Sequence, residues 1–358
     1  MEVKRISSLQ AVRCLAFLSL FLFHCDLTDS GGWGVSLFLV LSGFLMIYNY
    51  RSRELTAAPP ACVRFGISKI KKLYPLHLLM LLAAVLLDVN SLVHQFALKR
   101  ISRYILKVLL HASLLQAWVP SSSVYFALNG VAWYLSVCLF LYCLFPFILA
   151  GIKKWTGQKT AVTWIAAVYA AQLIAGALTK NIGSSNSDPS WITYIAPPFR
   201  LGDFVIGCAL GYLFLNRKKE TGFRMSSALE ICSVLLAVLT FIIREHVFSD
   251  ASDSVWFRTG MLYTPASIFL IYTFAANNGI ITRLLNCRPV LYIGNISPYA
   301  YLIHQIVIKY CRRLYLHIFG TAMNPWLTLP LCFIITLVCT ELYLKIESCL
   351  QNRSARSP

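Results

Sequence analysis

Apolar runs of about twenty residues, parted by short clusters of basic and turn-forming residues, recur along the whole chain. A helix of that length crosses the roughly 30 Å hydrocarbon core of a bilayer. The alternative, the buried core of a large soluble α/β protein, does not need so many long runs. Spans are predicted over 12–28, 34–50, 73–90, 131–150, 160–179, 201–215, 227–246, 260–276, 290–310 and 326–346. The expected fold is an all-α integral membrane protein, a bundle of about ten transmembrane helices. A further apolar stretch, 104–118, is shorter and reads as re-entrant or interfacial.

Basic residues orient such a bundle, because cytoplasmic loops collect Lys and Arg. The clusters are Lys4 with Arg5, then Arg51 to Lys72, Lys153 to Lys159, Arg217 to Arg224, Arg283 with Arg288, and Arg353 with Arg356. They share one side only if 104–118 does not cross, which places both termini in the cytoplasm. Two groups then stand outside as exceptions: Lys99, Arg100 and Arg103, and Lys309, Arg312 and Arg313. The layout gives one membrane domain over 1–350 and a short cytoplasmic tail, 351–358, with 180–200 as the one long outward loop. Arg13 and His24 inside the first run mark it as a retained helix rather than a cleaved signal.

Composition supports the membrane reading. Of 358 residues, 58% are hydrophobic and 13% charged, against about 25% charged in a soluble domain. The net charge of +18, from 32 basic and 14 acidic residues, would suggest nucleic acid in a soluble chain. Here it fits basic loops facing anionic lipid, and no polar segment interleaves aromatics with Lys and Arg, so no nucleic-acid partner is expected. Of twelve cysteines, Cys14, Cys138, Cys143, Cys208, Cys232, Cys332 and Cys339 lie in apolar helices as small packing residues. There is no C-x-x-C, and no metal site is expected.

Ionisable residues in a spanning helix usually face a cavity or a partner. Arg13 and His24 are eleven residues apart, three turns plus about 20°, so they share a helix face about 16 Å apart along the axis. The plain alternative is that Arg13 snorkels to the interface and His24 makes a structural hydrogen bond. Lys69 and Lys72, three apart where a helix begins, share a face suited to phosphates, or they simply anchor the helix. Three later groups bring polar residues into apolar runs: Asn129, Trp133, Tyr134 and Ser136; Arg200 with Asp203; and Asn295, Ser297, Tyr299, Tyr301, His304 and Gln305. Arg200 and Asp203 at i,i+3 are most simply an ion pair. Tyr301 and His304 line a polar cavity or form a satisfied core pair. Ser36, Ser42 and Gly43 are small positions for close helix packing.

In order along the chain, RCLAFLSLFLFHC (13–25), GGWGVSLFLVLSGFLM (31–46), KIKKLYP (69–75), NGVAWYLSVCLFLYCLFP (129–146), RLGDFVIGCALGYLF (200–214) and LYIGNISPYAYLIHQIVI (291–308) resemble the multi-pass acyltransferase family 3. That membrane group includes O-acetyltransferases of surface polysaccharides. The resemblance implies transfer of an acyl group, most simply acetyl from acetyl-CoA, or from another acyl-CoA, to a hydroxyl of an extracytoplasmic carbohydrate at the cell surface or linked to lipid. It implies a multi-pass protein of the cell membrane, with acyl-CoA, a carbohydrate acceptor and membrane lipids as partners and no metal.

It also implies site roles. His24 and Arg13 take the catalytic positions, and Lys69, Lys72 and Arg13 those that bind the coenzyme. Ser42, Trp133, Arg200, Asp203, Tyr301 and His304 are the candidates for the cavity wall. The family's basic pair is usually two arginines, and Lys keeps their charge without the planar fork. Cys138 stands where many polysaccharide-modifying members have Glu. His24 suits a general base because an unperturbed imidazole titrates near working pH. Asp26, about 200° around the helix from His24, is a poor orienting partner unless the helix has ended. The competing reading is a multi-pass transporter or flippase-like protein for a glycan or small solute, which buried charges would suit but for which no internal repeat is visible. A non-catalytic scaffold or sensor is a third.

Overall fold

The computed structural model describes residues 5–28, 31–94, 98–179, 191–218, 220–247 and 261–354. Lys4, Lys219, Arg356, the 180–190 part of the outward loop and 355–358 of the tail lie outside the described residues. The described chain is helical. In order come α1 (Ser8–His24), α2 (Gly31–Tyr50), α3 (Pro59–Ile70), α4 (Tyr74–His94), α5 (Leu98–Ala112) and the single turn α6 (Ser122–Tyr125). There follow α7 (Trp133–Ile152), α8 (Gln158–Thr179), α9 (Pro197–Leu215) and α10 (Phe223–Val247). The series closes with α11 (Thr264–Ala275), α12 (Ile280–Leu285), α13 (Arg288–Phe319) and α14 (Pro325–Ser354).

Six helices among the described residues are long and apolar enough to cross a membrane: Gly31–Tyr50, Gly130–Ile152, Gln158–Thr179, Trp191–Leu215, Phe223–Arg244 and Pro325–Asn352. The pair Pro59–Ile70 and Tyr74–Val89, bent by 65°, makes at most a seventh. The protein is thus a multi-pass, all-α membrane protein, but the expected ten spans, and the parity that put both termini in the cytoplasm, are corrected. Two of the expected spans are short helices, Ser8–His24 and Met261–Ala275. A third lies within α13, a 32-residue helix that mixes Asn295, His304, Gln305 and Lys309 with its apolar residues. Apolar residues that face other helices look like those that face lipid in a hydropathy pattern. Of the spanning windows, 72% of that in α2 is buried, against 17% in α8 and 22% in α14, so α2 is central and the other two peripheral.

The 104–118 stretch becomes the amphipathic α5 and the turn after it. It is fastened to α4 by Tyr104 Oη donating to Asp88 (3.1 Å) and Tyr74 Oη donating to the Ala112 carbonyl (2.9 Å).

Small residues set the central packing. Gly43 of α2 faces the Phe204 carbonyl of α9, and Gly207 of α9 faces the Val40 carbonyl of α2, each so closely that a Cβ would collide. Gly294 of α13 meets the Gln10 carbonyl of α1 in the same way. One end of the bundle gathers the start of α1 and the ends of α2, α7 and α9. There Arg51 Nη2 donates to Asn216 Oδ1 (2.9 Å) and Lys153 Nζ to the Arg53 carbonyl (2.8 Å). The opposite end holds His24 and the starts of α2, α7 and α9.

Glu230, fully buried on α10, caps α12. Its carboxylate accepts the Gly279 and Thr282 amides, both at 3.0 Å, and the Thr282 hydroxyl at 2.5 Å. Removing it orphans three buried donors at a helix start, each worth about 1 kcal/mol or more. Glu230→Ala is therefore expected to lower the thermal midpoint of the detergent-purified protein by several degrees, while Glu230→Gln, which keeps an acceptor oxygen, loses less.

Candidate active site

Four cavities follow one another between the two ends, and each shares walls with the next. The first, about 540 Å³, is lined by Arg13, Ser42, Asn49, Tyr50, Arg53, Lys69 and Tyr142. The second, about 170 Å³, shares Arg13, Ser42, Lys69 and Tyr142 and continues along Val35, Phe38, Tyr134, Cys138 and Tyr301. The third, about 380 Å³, shares Leu20, Val35 and Tyr301 and reaches His24, Trp133, Tyr194, Arg244 and Gln305. The fourth, about 390 Å³, shares Phe23, His24 and Gln305 and is closed by Asp26, Lys309 and Arg312. Arg13 and His24, on one face of α1, therefore stand in different cavities of a single series.

Arg13 is half-buried, with its Nη1 3.4 Å from Gln10 Oε1. None of the ion pairs among the described residues involves it. Ser42 Oγ and Tyr142 Oη share a 2.9 Å hydrogen bond across the wall between α2 and α7. Tyr134, Cys138 and Tyr142 recur every fourth residue, so one face of α7 lines the second cavity.

Lys69 and Lys72 do not share a face. Helix α3 ends at Ile70, and a turn separates it from α4. Lys69 therefore faces the cavities, its Nζ bonded to Tyr50 Oη and 4.2 Å from the centre of that ring. Lys72 is exposed and lies 5.7 Å from the Tyr299 ring centre, outside the four cavities. The Ile-Lys-Lys-Leu-Tyr-Pro run, with Pro75 just beyond the break, was the available signal that the helix stops.

At the other end two imidazoles meet. The half-buried His24 ring lies 5.0 Å from that of His304, centre to centre, and 5.1 Å from Phe23. His304 is fully buried against Phe17, Phe21 and Tyr301. Its Nδ1 stands 2.6 Å from the Tyr301 carbonyl and must donate to it, which leaves Nε2 an acceptor. That Nε2 has no hydrogen-bond partner among the described residues. Tyr301 Oη donates to the Val131 carbonyl (3.2 Å), and Gln305 Oε1 accepts the Val131 amide (3.1 Å), so α13 is locked to the turn before α7. Helix α1 ends at His24, and Asp26 takes a left-handed φ of 59°. The carboxylate thereby turns to Arg312 (2.8 Å) rather than to His24.

Trp133 packs on Tyr194 in the third cavity, with ring centres 5.2 Å apart. Arg200 and Asp203 form a 2.7 Å ion pair, each 1% exposed, and neither is among the residues lining the four cavities. Arg200 Nε also donates to the Tyr194 carbonyl (2.7 Å), so the pair braces a cavity wall from behind. Tyr142 was not among the sequence candidates; its place four residues after Cys138 and eight after Tyr134 was the signal. No group of three His, Cys, Asp or Glu among the described residues is placed to hold a metal ion.

Fold and site together define a class: a multi-pass membrane protein with a series of cavities that share walls, lined by Arg13, Arg53 and Lys69 at one end and by His24, Lys309 and Arg312 at the other. The chain belongs to the acyltransferase 3 family, whose model, described as an acyltransferase domain, matches residues 6–344. It is 23% identical over 339 residues to the acyltransferase MdmB of Streptomyces mycarofaciens, covering 87% of this chain and 81% of that protein. It is 23% identical over 316 residues to the peptidoglycan O-acetyltransferase OatA of Listeria monocytogenes, covering 85% of this chain and 50% of that one. With the O-acetyltransferase OatA of Staphylococcus aureus it shares 22% identity over 326 residues, covering 87% and 52%. The chain thus spans about half the length of the OatA proteins it matches. No solved structure matches it. Family membership supports membrane-bound acyltransferase activity in general.

Proposed function

We propose that the chain is an O-acyltransferase that carries an acyl group, most simply acetyl from acetyl-CoA, through the bundle to a hydroxyl of a carbohydrate on the far side. The observation that carries this reading is the series of cavities joining Arg13 and Lys69 to His24. Arg13, Arg53 and Lys69 at the first cavity suit the phosphates of a coenzyme. The narrow second cavity, walled mainly by apolar side chains and tyrosines, suits a slender pantetheine arm. The Arg13 end faces the cytoplasm in this reading, as the basic residues Arg51, Arg53, Lys153, Lys154 and Arg217 around it favour.

His24 takes the proton of the acceptor hydroxyl as its oxygen bonds to the acyl carbon. The carbon–sulfur bond breaks, and the proton passes on to the thiolate. The buried His304 ring, 5.0 Å from that of His24, suits holding the His24 ring in place by packing. The acceptor on the far side is a free or lipid-linked surface carbohydrate, following the resemblance to the surface-polysaccharide enzymes.

The test is transfer of radiolabelled acetyl from acetyl-CoA by the purified protein in liposomes supplied with cell-wall or lipid-linked glycan. Label in the glycan supports the reading. Glycan movement with no acyl transfer and no coenzyme binding would favour a transporter instead. The geometry also separates two lysines. Lys69→Met is expected to raise the KM for acetyl-CoA by roughly tenfold with kcat nearly unchanged, as loss of a phosphate contact would. Lys72→Met is expected to change neither by more than about twofold, since an exposed charge outside the cavities contributes little.

A further inference from the structure

The fourth cavity holds charges that acyl transfer itself does not use. Among the described residues lining it are two cations, Lys309 and Arg312, and one carboxylate, Asp26. A further cation, Arg244, lines the adjoining third cavity. These cations are at the His24 end, whereas the basic clusters around Arg51, Lys153 and Arg217 are at the other, so Lys309 and Arg312 run against the charge pattern of the chain.

Holding the fold together does not account for them. The Asp26–Arg312 bridge is open to water, with side chains 68% and 33% exposed, and an ion pair of that kind contributes little. Lys309 Nζ donates to the Leu128 carbonyl at 2.6 Å, which satisfies one N–H of three, and the carboxylate that acts on its charge, Asp88, is not among the residues lining the fourth cavity.

Their placement follows from α13. Residues 305, 308, 309 and 312 fall on one helix face and line the cavity, so the amide of Gln305, the ammonium of Lys309 and the guanidinium of Arg312 succeed one another outward. At 1.5 Å per residue, Lys309 stands about 7 Å and Arg312 about 12 Å beyond His304 along the axis. A hydroxyl beside His24 and an anionic group one sugar ring away would reach both.

We propose that the fourth cavity is an anion subsite for the acceptor: the sugar acylated at His24 carries a carboxylate or phosphate, which Lys309 and Arg312 bind. The proposal rests on the acyl-transfer reading only in calling that ligand the acceptor. Asp26 acts as an internal competitor that the ligand's oxyanion displaces from Arg312. Arginine binds either group through paired N–H donors, so carboxylate and phosphate share the site.

The test needs no acyl donor. Glucuronate, glucose 6-phosphate and glucose are each titrated into the detergent-purified protein, and binding is followed by tryptophan fluorescence, which Trp133 in the adjoining cavity can report. Both anionic sugars are expected to bind roughly tenfold more tightly than glucose, as a charge-assisted contact would give. The tighter of the two identifies the natural charged group. Lys309→Met together with Arg312→Gln is expected to abolish the preference at an unchanged gel-filtration profile. Because that pair of changes could also unfold the protein, the deciding variant is Asp26→Asn at an exposed position. Removing the competing carboxylate should tighten binding of the anionic sugars by roughly threefold and leave glucose unchanged, whereas a merely structural bridge predicts weaker or equal binding. Equal binding of all three sugars, or an Asp26→Asn protein with no gain, would overturn the proposal. An anion preference without any acyl transfer would keep the subsite and remove the acyltransferase reading. Transfer to sugars with no preference for charge would do the reverse.

Discussion

His24→Ala is expected to lower acyl transfer by roughly 10²- to 10⁴-fold, the range in which a positioned general base contributes. Binding of acetyl-CoA, followed separately by isothermal titration, should change by less than about threefold, because the proposed coenzyme contacts lie at the opposite end of the cavity series. The two readouts together make the prediction specific. A collapse of the bundle would abolish both, whereas loss of a base removes only the first. His304→Ala offers a graded comparison. It leaves His24 in place but removes the buried ring packed against it at 5.0 Å. A smaller loss of kcat, with KM for the coenzyme held, would mark His304 as a positioning residue. Equal transfer by wild type and His24→Ala would remove His24 from the mechanism.

Much of this site was legible in the sequence, for a geometrical reason. Arg13 and His24 belong to one helix, and helix periodicity fixes the relation of two residues on one element. The Arg200–Asp203 pair was readable on the same ground. The juxtaposition of His24 with His304 was not, because 280 positions separate them and only tertiary packing brings α1 and α13 together. Lys69 and Lys72 show the same rule failing locally. Their spacing implies a shared face only if one helix continues, and it stops at Ile70. Asp26 shows the converse: it escapes the helix geometry because α1 ends two residues before it, and so finds Arg312.

The number of spans was misread because hydropathy records how apolar a segment is and not what surrounds it. In α1, Leu9, Val12, Phe17 and Phe21 are buried by protein, and the 17-residue helix is at the short end of what a full crossing requires. The residues that line the cavities are carried partly on such protein-buried helices. The elements hardest to class from hydropathy are thus the ones that hold the chemistry.

The close backbone contact between α2 and α9 is a place where a single added atom should do great damage. At Gly43 a Cβ would collide with the Phe204 carbonyl oxygen and stand 2.9 Å from the Cys208 amide nitrogen. At Gly207 it would collide with the Val40 carbonyl oxygen, with the carbonyl carbon at 2.8 Å. Both obstacles are backbone of the facing helix, so no side chain can rotate away, and relief requires α2 and α9 to separate. Overpacking a core commonly costs about 1–3 kcal/mol, and a backbone clash in a central helix pair belongs at or above the top of that range. Gly43→Leu or Gly207→Leu is therefore expected to abolish the monodisperse peak in detergent gel filtration, and Gly43→Ala to lower the thermal midpoint by several degrees. Gly151→Ala, with nothing within 4 Å of the added carbon, should leave stability unchanged or slightly raised, since Ala favours a helix over Gly. The same geometry connects packing with activity. Ser42, beside Gly43, lines the first two cavities, so a Gly43→Ala protein that survives purification carries a displaced α2. Its transfer rate should fall by more than its thermal midpoint alone would explain, with KM for acetyl-CoA raised as the wall bearing Ser42 moves off Tyr142. If KM and rate hold while stability drops, the α2–α9 contact supports the fold without shaping the cavities.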